Sequence, residues 1–173
     1  RKGRKRLIFF LFFLFSYRSI KILDFIWFFW YDSSTKVGMI MEIKCYEDKY
    51  LNSLNVLLEE AFHVSKQGNT SSCDIELIAV IEEEVVGHLL LRLCNDPIRN
   101  QKFYFVEYVC VKNAYKNQGI ASKLFDYVFQ LCKINHISYL ELTSNPSRVA
   151  AHHLYHKLGF QIRETTVFRK EIL

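Results

Sequence analysis

Apolar and polar positions along residues 39–173 follow two periods, one of strands and one of helices. Residues 39–46 alternate modestly, as a first strand does. Asp48 is a candidate N-cap for a helix to about Lys66, with Leu51, Leu54, Leu58, Ala61 and Phe62 recurring at helical spacing. Residues 67–72 are polar and read as a loop. Residues 75–81 and 85–94 are two apolar runs joined over Glu82, Glu83 and Glu84, which predicts a hairpin. After a loop holding Pro97, residues 103–111 are almost wholly apolar, as in a central strand. Ile120, Leu124, Tyr127, Val128 and Leu131 then line one face of a helix, and residues 138–143 read as another strand. Asn145 is placed as the N-cap of a last helix with Pro146 at its first position, where a missing N–H costs nothing. Leu158 ends that helix, and Gly159 suits the left-handed residue beyond it. Residues 160–173 are expected to add one or two closing strands. The order β-α-β-β-β-α-β-α-β predicts one α/β (α+β) domain, a mixed sheet with helices on its faces.

Residues 1–38 break this pattern. A basic cluster, Arg1, Lys2, Arg4, Lys5 and Arg6, precedes nine apolar residues at 7–15, and a second apolar run at 25–31 follows Arg18, Lys21 and Asp24. The first run is too short to span a bilayer. Joining the two would bury three charges at about 2.5–3.5 kcal/mol each. No small-residue cleavage site follows, so a signal peptide is disfavoured. The segment reads either as an interfacial membrane anchor or as an extension that is not part of the native protein. The domain is placed at 39–173, starting at Met39.

Composition sharpens this only in part. Half of the 173 residues are apolar, enough for a substantial core and too many for disorder. The net charge of +5 sits largely in the first six residues, and no basic stripe outside them suggests nucleic acid. Five cysteines without a CxxC pair read as free thiols in a reducing, cytoplasmic compartment, with membrane contact only through residues 1–38.

The candidate chemistry lies in residues 109–124, VCVKNAYKNQGIASKL. An apolar strand end runs into a turn with Lys116, Asn117, Gln118 and Gly119, and a helix opens with Ile120, Ala121 and Ser122. The first turn of a helix leaves N–H groups without partners and carries partial positive charge. Gly119 lets an anion approach the backbone, and Ala121 keeps the next approach open, so a phosphate or pyrophosphate fits the N–H groups of 117–122. The stretch lacks the GxxxxGK run of nucleotide P-loops and the three glycines of the dinucleotide fingerprint.

A second stretch, residues 141–160, reads ELTSNPSRVAAHHLYHKLGF. Together the two resemble the GCN5-related N-acetyltransferase (GNAT) family across residues 39–173. The acetyl-CoA loop of that family runs Arg or Gln, x, x, Gly, x, Gly or Ala, matched by Lys116-Asn117-Gln118-Gly119-Ile120-Ala121. Its later helix carries a tyrosine before Gly-Phe, matched by Tyr155, Gly159 and Phe160. Lys116 departs from the usual Arg or Gln, and Arg148 stands where many members have asparagine. The resemblance implies a mostly antiparallel sheet in which the strands ending near Val111 and Thr143 splay apart. The pantetheine arm of acetyl-CoA lies between them and pairs with the backbone of Val109, Cys110 and Val111.

Acetyl transfer to an amine needs a held pyrophosphate, a polarised carbonyl, a neutral amine and a proton for the leaving thiolate. The 116–122 loop meets the first need, Lys116 adding a point charge without the fork of arginine. A backbone N–H among Val109–Val111 meets the second by resemblance. A phenol near ~10 can protonate a thiolate near ~8.5, which suits Tyr155, though packing alone would also account for a tyrosine there. For the amine, Glu107 among Phe105, Val106, Val109 and Val111 should have a raised pKa and act through water, and Glu141 is its rival. Either carboxylate could instead be a structural ion-pair partner. A strand bulge would flip side-chain parity, so alternation alone does not say which one faces the cleft. His152 and His156 have metal-competent spacing but no third ligand, and no metal is expected. Cys110, in a buried strand, reads as inert.

The leading reading is direct transfer from acetyl-CoA to a primary amine of a small molecule or peptide. The Phe105-Val106-Glu107 approach is similar to glucosamine-6-phosphate N-acetyltransferases. The Arg148-x-x-Ala151-His152-x-x-Tyr155 pattern is similar to small bacterial-type amine acetyltransferases. A non-catalytic acyl-CoA-binding module and a membrane-bound interaction protein are the readings from other classes. A homodimer is compatible with all of these.

Overall fold

The computed structural model describes residues 28–31 and 40–172. Both N-terminal apolar runs therefore lie outside the described residues, apart from 28–31. Six strands form one sheet in sequence order: β1 (Phe28–Tyr31), β2 (Ile40–Cys45), β3 (Ile75–Ile81), β4 (Glu84–Asp96), β5 (Gln101–Val111) and β6 (Tyr139–Leu142). Every neighbouring pair is antiparallel except β5 with β6, which is parallel. β1, drawn from the segment preceding the assigned domain, runs along β2 from Phe28 opposite Ile43 to Tyr31 opposite Ile40.

Helices α1 (Leu51–Phe62) and α2 (Ile120–Ile134) cover opposite faces, and α3 (Val149–Lys157) follows β6. Alternation along the strands divides the core accordingly. Ile78 and Val80 of β3 pack with Leu54, Leu57 and Leu58 of α1. Leu77 and Ala79 pack with Leu124, Phe125, Val128 and Leu131 of α2. Burying a leucine or phenylalanine contributes about 1.5–3 kcal/mol each, so these stripes hold the helices to the sheet.

Several boundaries differ from the sequence reading. Asp48 opens a 3-10 turn, and α1 starts at Leu51 with no side-chain cap. It stops at Phe62 because His63 turns left-handed, at φ 57°. Its buried stripe is Leu54, Leu57 and Leu58, while Leu51 and Ala61 are exposed. Asn145 does not cap α3. Its Oδ1 accepts from the Ser147 N–H at 2.9 Å, a local turn that takes up Pro146 and delays the helix to Val149. The far end matches expectation. Gly159 has φ 88°, its N–H donates to His156 O, and the Phe160 N–H donates to Tyr155 O. No closing strand forms in 160–172. These residues are rich in strand formers, but a strand needs a ladder partner, and among the described residues no strand pairs with β6 on its other side.

The hairpin between β3 and β4 turns on Glu82 and Glu83, both at positive φ (48° and 64°). That is the two-residue turn whose twist matches the strands, made here without glycine or asparagine.

Candidate active site

The site begins with a fault in β5. Glu107 pairs with Leu90 and Cys110 with His88, so Tyr108 and Val109 together oppose only Leu89. This is a β-bulge, and Tyr108 takes the extra turn at φ 51°, a strained conformation for a large side chain. The bulge reverses parity. Before it, Tyr104 and Val106 pack under α2; after it, Cys110 packs under α1 while Val109 and Val111 lie toward α2. The last pair between β5 and β6 is Val106 with Leu142, yet β5 continues to Val111. β6 ends at Leu142, so β5 runs on without it past the bulge, and the gap beside its C-terminal end is the candidate cleft.

α2 starts beside that cleft. Gly119 is its N-cap at φ 79°, with no side-chain cap. A Cβ on Gly119 would meet nothing within 4 Å, so the space above the helix end is open to a ligand. Lys116, Asn117 and Gln118 lie exposed beside it, with Asn117 also left-handed (φ 62°). The loop is tied down from β4: the Lys112 N–H donates to Val86 O at 2.9 Å, and the Tyr115 hydroxyl donates to Glu84 at 3.1 Å. The Lys112 ammonium also pairs with Glu84. Ile120 is buried over Gly87, where a Cβ would come within 2.9 Å of its Cγ2. Gly87 thus lets the first turn of α2 settle on the sheet. The sequence reading missed it, although an isolated glycine in a strand pattern is a known sign of close approach.

Tyr155 sits on α3 with 8% of its surface exposed, edge-on to Phe125 and Phe160. Burial pushes its hydroxyl pKa up, and the Arg148 charge opposes the shift. The phenol is thus a protonated donor at neutral pH. Arg148, the residue before α3, reaches β5 and α1: its Nη2 donates to Val109 O at 3.3 Å, and its guanidinium lies 5.1 Å from the Phe62 ring centroid. Phe62 in turn meets Tyr108 edge-on.

The two candidate carboxylates are less isolated than expected. Glu107 is not set among apolar groups alone, because Arg92 Nε lies 3.0 Å from its carboxylate. Glu141 pairs with Arg163 at 3.4 Å. Both are partly exposed. Cys110 is buried, and desolvation pushes its thiol up to about 12, which makes it a poor nucleophile. The five cysteines are free. Among the described residues no three His, Cys, Asp or Glu side chains converge on a metal-sized site, and His156 is exposed. The Nε2 of His152 is buried without a hydrogen-bond partner. A groove of about 880 Å³ does exist elsewhere, lined by Gln101, Cys132, Tyr139 and Phe160. It lies at the N-terminal ends of β5 and β6, the opposite end from the cleft.

A bulge at the end of the β5–β6 ladder and an uncapped glycine helix start beyond it coincide with a sequence match: residues 42–160 fit the profile of the acetyltransferase (GNAT) family. The chain belongs to the GNAT family. The L-amino acid N-acetyltransferase AaaT of Escherichia coli K12 is 33% identical over 91 residues, 52% of this chain and 55% of that protein. The N-acetylaspartate synthetase of Xenopus tropicalis is 34% identical over 86 residues, 49% of this chain and 30% of that protein. The chain therefore matches about half of one relative and under a third of the other. In fold, a Bacillus halodurans C-125 protein described as a transcriptional regulator superposes with a TM-score of 0.68 at 17% identity, covering 76% of this chain and 99% of that one. The mixed sheet with helices on both faces is thus the GNAT fold. Among the described residues no helix is long and apolar enough to cross a membrane.

Proposed function

We propose that this GNAT chain transfers the acetyl group of acetyl-CoA directly to the primary amine of a small acceptor bearing a carboxylate, such as an amino acid. The observation that supports the reading is the bulge at the end of the β5–β6 ladder, followed by the open, uncapped N-terminus of α2, with Arg148 joining the start of α3 to Val109. The residues present fit acetyl-CoA: the open space over Gly119 suits a phosphate, and the end of β5 offers main-chain groups of Val109–Val111 to an extended arm. Acetyl-CoA supplies an acyl group activated as a thioester.

The chain's own residues divide the remaining work. Lys116 and the N–H groups of 117–122 hold the pyrophosphate. The Val109 N–H faces the acyl oxygen as a preorganised donor. Glu107, one residue before the bulge, takes the amine's proton through water, with Glu141 as its rival. Tyr155 donates its hydroxyl proton to the departing sulfur. Arg148, exposed and without a carboxylate partner among the described residues, offers its free guanidinium edge to the acceptor's carboxylate. That assignment agrees with the L-amino acid in the name of one curated relative and the N-acetylated amino acid in the name of the other. Nothing in those relatives points to an amino-sugar phosphate.

The test is thioester turnover with free amino acids, amino sugars including glucosamine 6-phosphate, polyamines and short peptides. Amino acids are expected to support turnover, and Arg148→Ala to raise their KM with less effect on amines lacking a carboxylate. CoA binding without turnover on any amine would leave only an acyl-CoA-binding module.

A further inference from the structure

Glu76 on β3 and His88 on β4 are the polar or charged side chains buried in the core among the described residues, 8% and 2% exposed. They lie on the α1 face, and none of the roles assigned above uses them. His88 Nε2 is 3.1 Å from Glu76 Oε1, and His88 Nδ1 is 3.0 Å from the carbonyl oxygen of Tyr108. The second Glu76 oxygen accepts from Lys66 Nζ at 2.7 Å and from the Thr70 hydroxyl. Lys66 also lies 5.0 Å from the Tyr46 ring centroid.

Hydrogen-bond accounting sets the state of the ring. A carbonyl oxygen only accepts, so Nδ1 must donate to Tyr108. Burial alone would push the Glu76 carboxyl up, but hydrogen bonds from His88, Lys66 and Thr70 outweigh it and hold it at about 2. Glu76 faces the other ring nitrogen and holds the ring in place, so that the Nδ1 proton stays aimed at the Tyr108 carbonyl.

The carbonyl that His88 holds is that of the bulge residue. The peptide between Tyr108 and Val109 is planar and trans, so turning its C=O toward His88 turns the Val109 N–H the opposite way. Neither bulge residue has a register partner on β4, so this peptide falls outside the regular pairing. We propose that His88 and Glu76 are positioning residues that lock the Tyr108–Val109 peptide and so aim the Val109 N–H into the cleft. Lys66 and Thr70 tie the lock to the segment that follows α1, linking that loop to the bulge. The consequence for catalysis rests on the acetyl-transfer reading; the lock itself does not.

Two measurements test it. Imidazole ¹⁵N NMR of the unliganded protein is expected to show a proton on Nδ1 of His88; an unprotonated Nδ1 overturns the proposal. The second measurement compares His88→Asn, which keeps a donor near the Nδ1 position, with His88→Gln, whose donor sits near Nε2. Asn is expected to keep the parent's Val109 amide ¹H–¹⁵N chemical shift and a kcat within about threefold of the parent. Gln is expected to move that resonance and lower kcat about 10- to 100-fold, the scale of small misplacements at a reacting centre, with KM for acetyl-CoA nearly unchanged. Equal behaviour of the two variants in that resonance and in kcat overturns the lock, whatever their melting temperatures. Should either variant fail to fold, the ring protonation of the parent decides alone. The amide and ring resonances need no acetyl-CoA. An enzyme inactive on every amine would therefore remove the proposed function and leave the lock standing or falling on its own data.

Discussion

The anion site can be tested with a pair of glycines that share a backbone state and differ in location. Gly119 and Gly159 have φ of 79° and 88°, and an added Cβ meets nothing within 4 Å at either. Replacing either by alanine therefore creates no clash and costs only left-handed strain, about 1–2 kcal/mol. For a domain of this size that is a fall of roughly 3–8 °C in Tm. Gly159→Ala lies at the C-terminal end of α3, so it should show that fall and leave CoA affinity unchanged. Gly119→Ala should show the same fall and also place a methyl group where the phosphate approaches. Losing one hydrogen bond to a charged group costs about 1.5–3 kcal/mol, or roughly 10- to 100-fold in Kd. Calorimetric titration with CoA and a thermal melt on each variant separate the two effects. Equal CoA affinity in the two variants would refute the phosphate site, because strain is common to both and only the position differs.

Tyr155→Phe should keep ring packing against Phe125 and Phe160, bind acetyl-CoA as the parent does, and lower kcat and kcat/KM together by about 10²–10⁴-fold; a kcat within about threefold of the parent removes the hydroxyl from the chemistry. Glu76 gives the protein an acid-sensitive element. Its folded pKa, about 2, lies below the ordinary 4.5, so the unfolded state binds more protons in between. Stability is then full above about pH 4.5 and falls as pH drops toward 2, by up to about 3 kcal/mol. Glu76→Gln should flatten that limb in urea titrations across the range, and an unchanged slope counts against the network. Deleting residues 1–38 removes only the edge strand β1 from the described sheet, so CoA affinity should stay within error by calorimetry; lost binding would move the domain boundary toward the N-terminus.

Local pattern determined much of this protein. The face of α2, Ile120, Leu124, Tyr127, Val128 and Leu131, is buried as its spacing predicts, because helix period and core burial are the same constraint. The loop at Gly119 and the left-handed Gly159 were legible because few residues other than glycine adopt those angles readily. The GNAT family followed from two short motifs for the same reason. Other features needed the tertiary structure. The bulge at Tyr108 has no glycine to mark it, and it decides which side chains of β5 face the cleft. Arg92 and Arg163 beside the two glutamates come from positions 15 and 22 residues away, pairings that no local period encodes. His88 read only as part of an apolar strand, since its partners arrive from β3 and β5. The absence of a strand in 160–172 has the same origin: propensity is a property of a segment, but a strand exists only where another offers it hydrogen bonds.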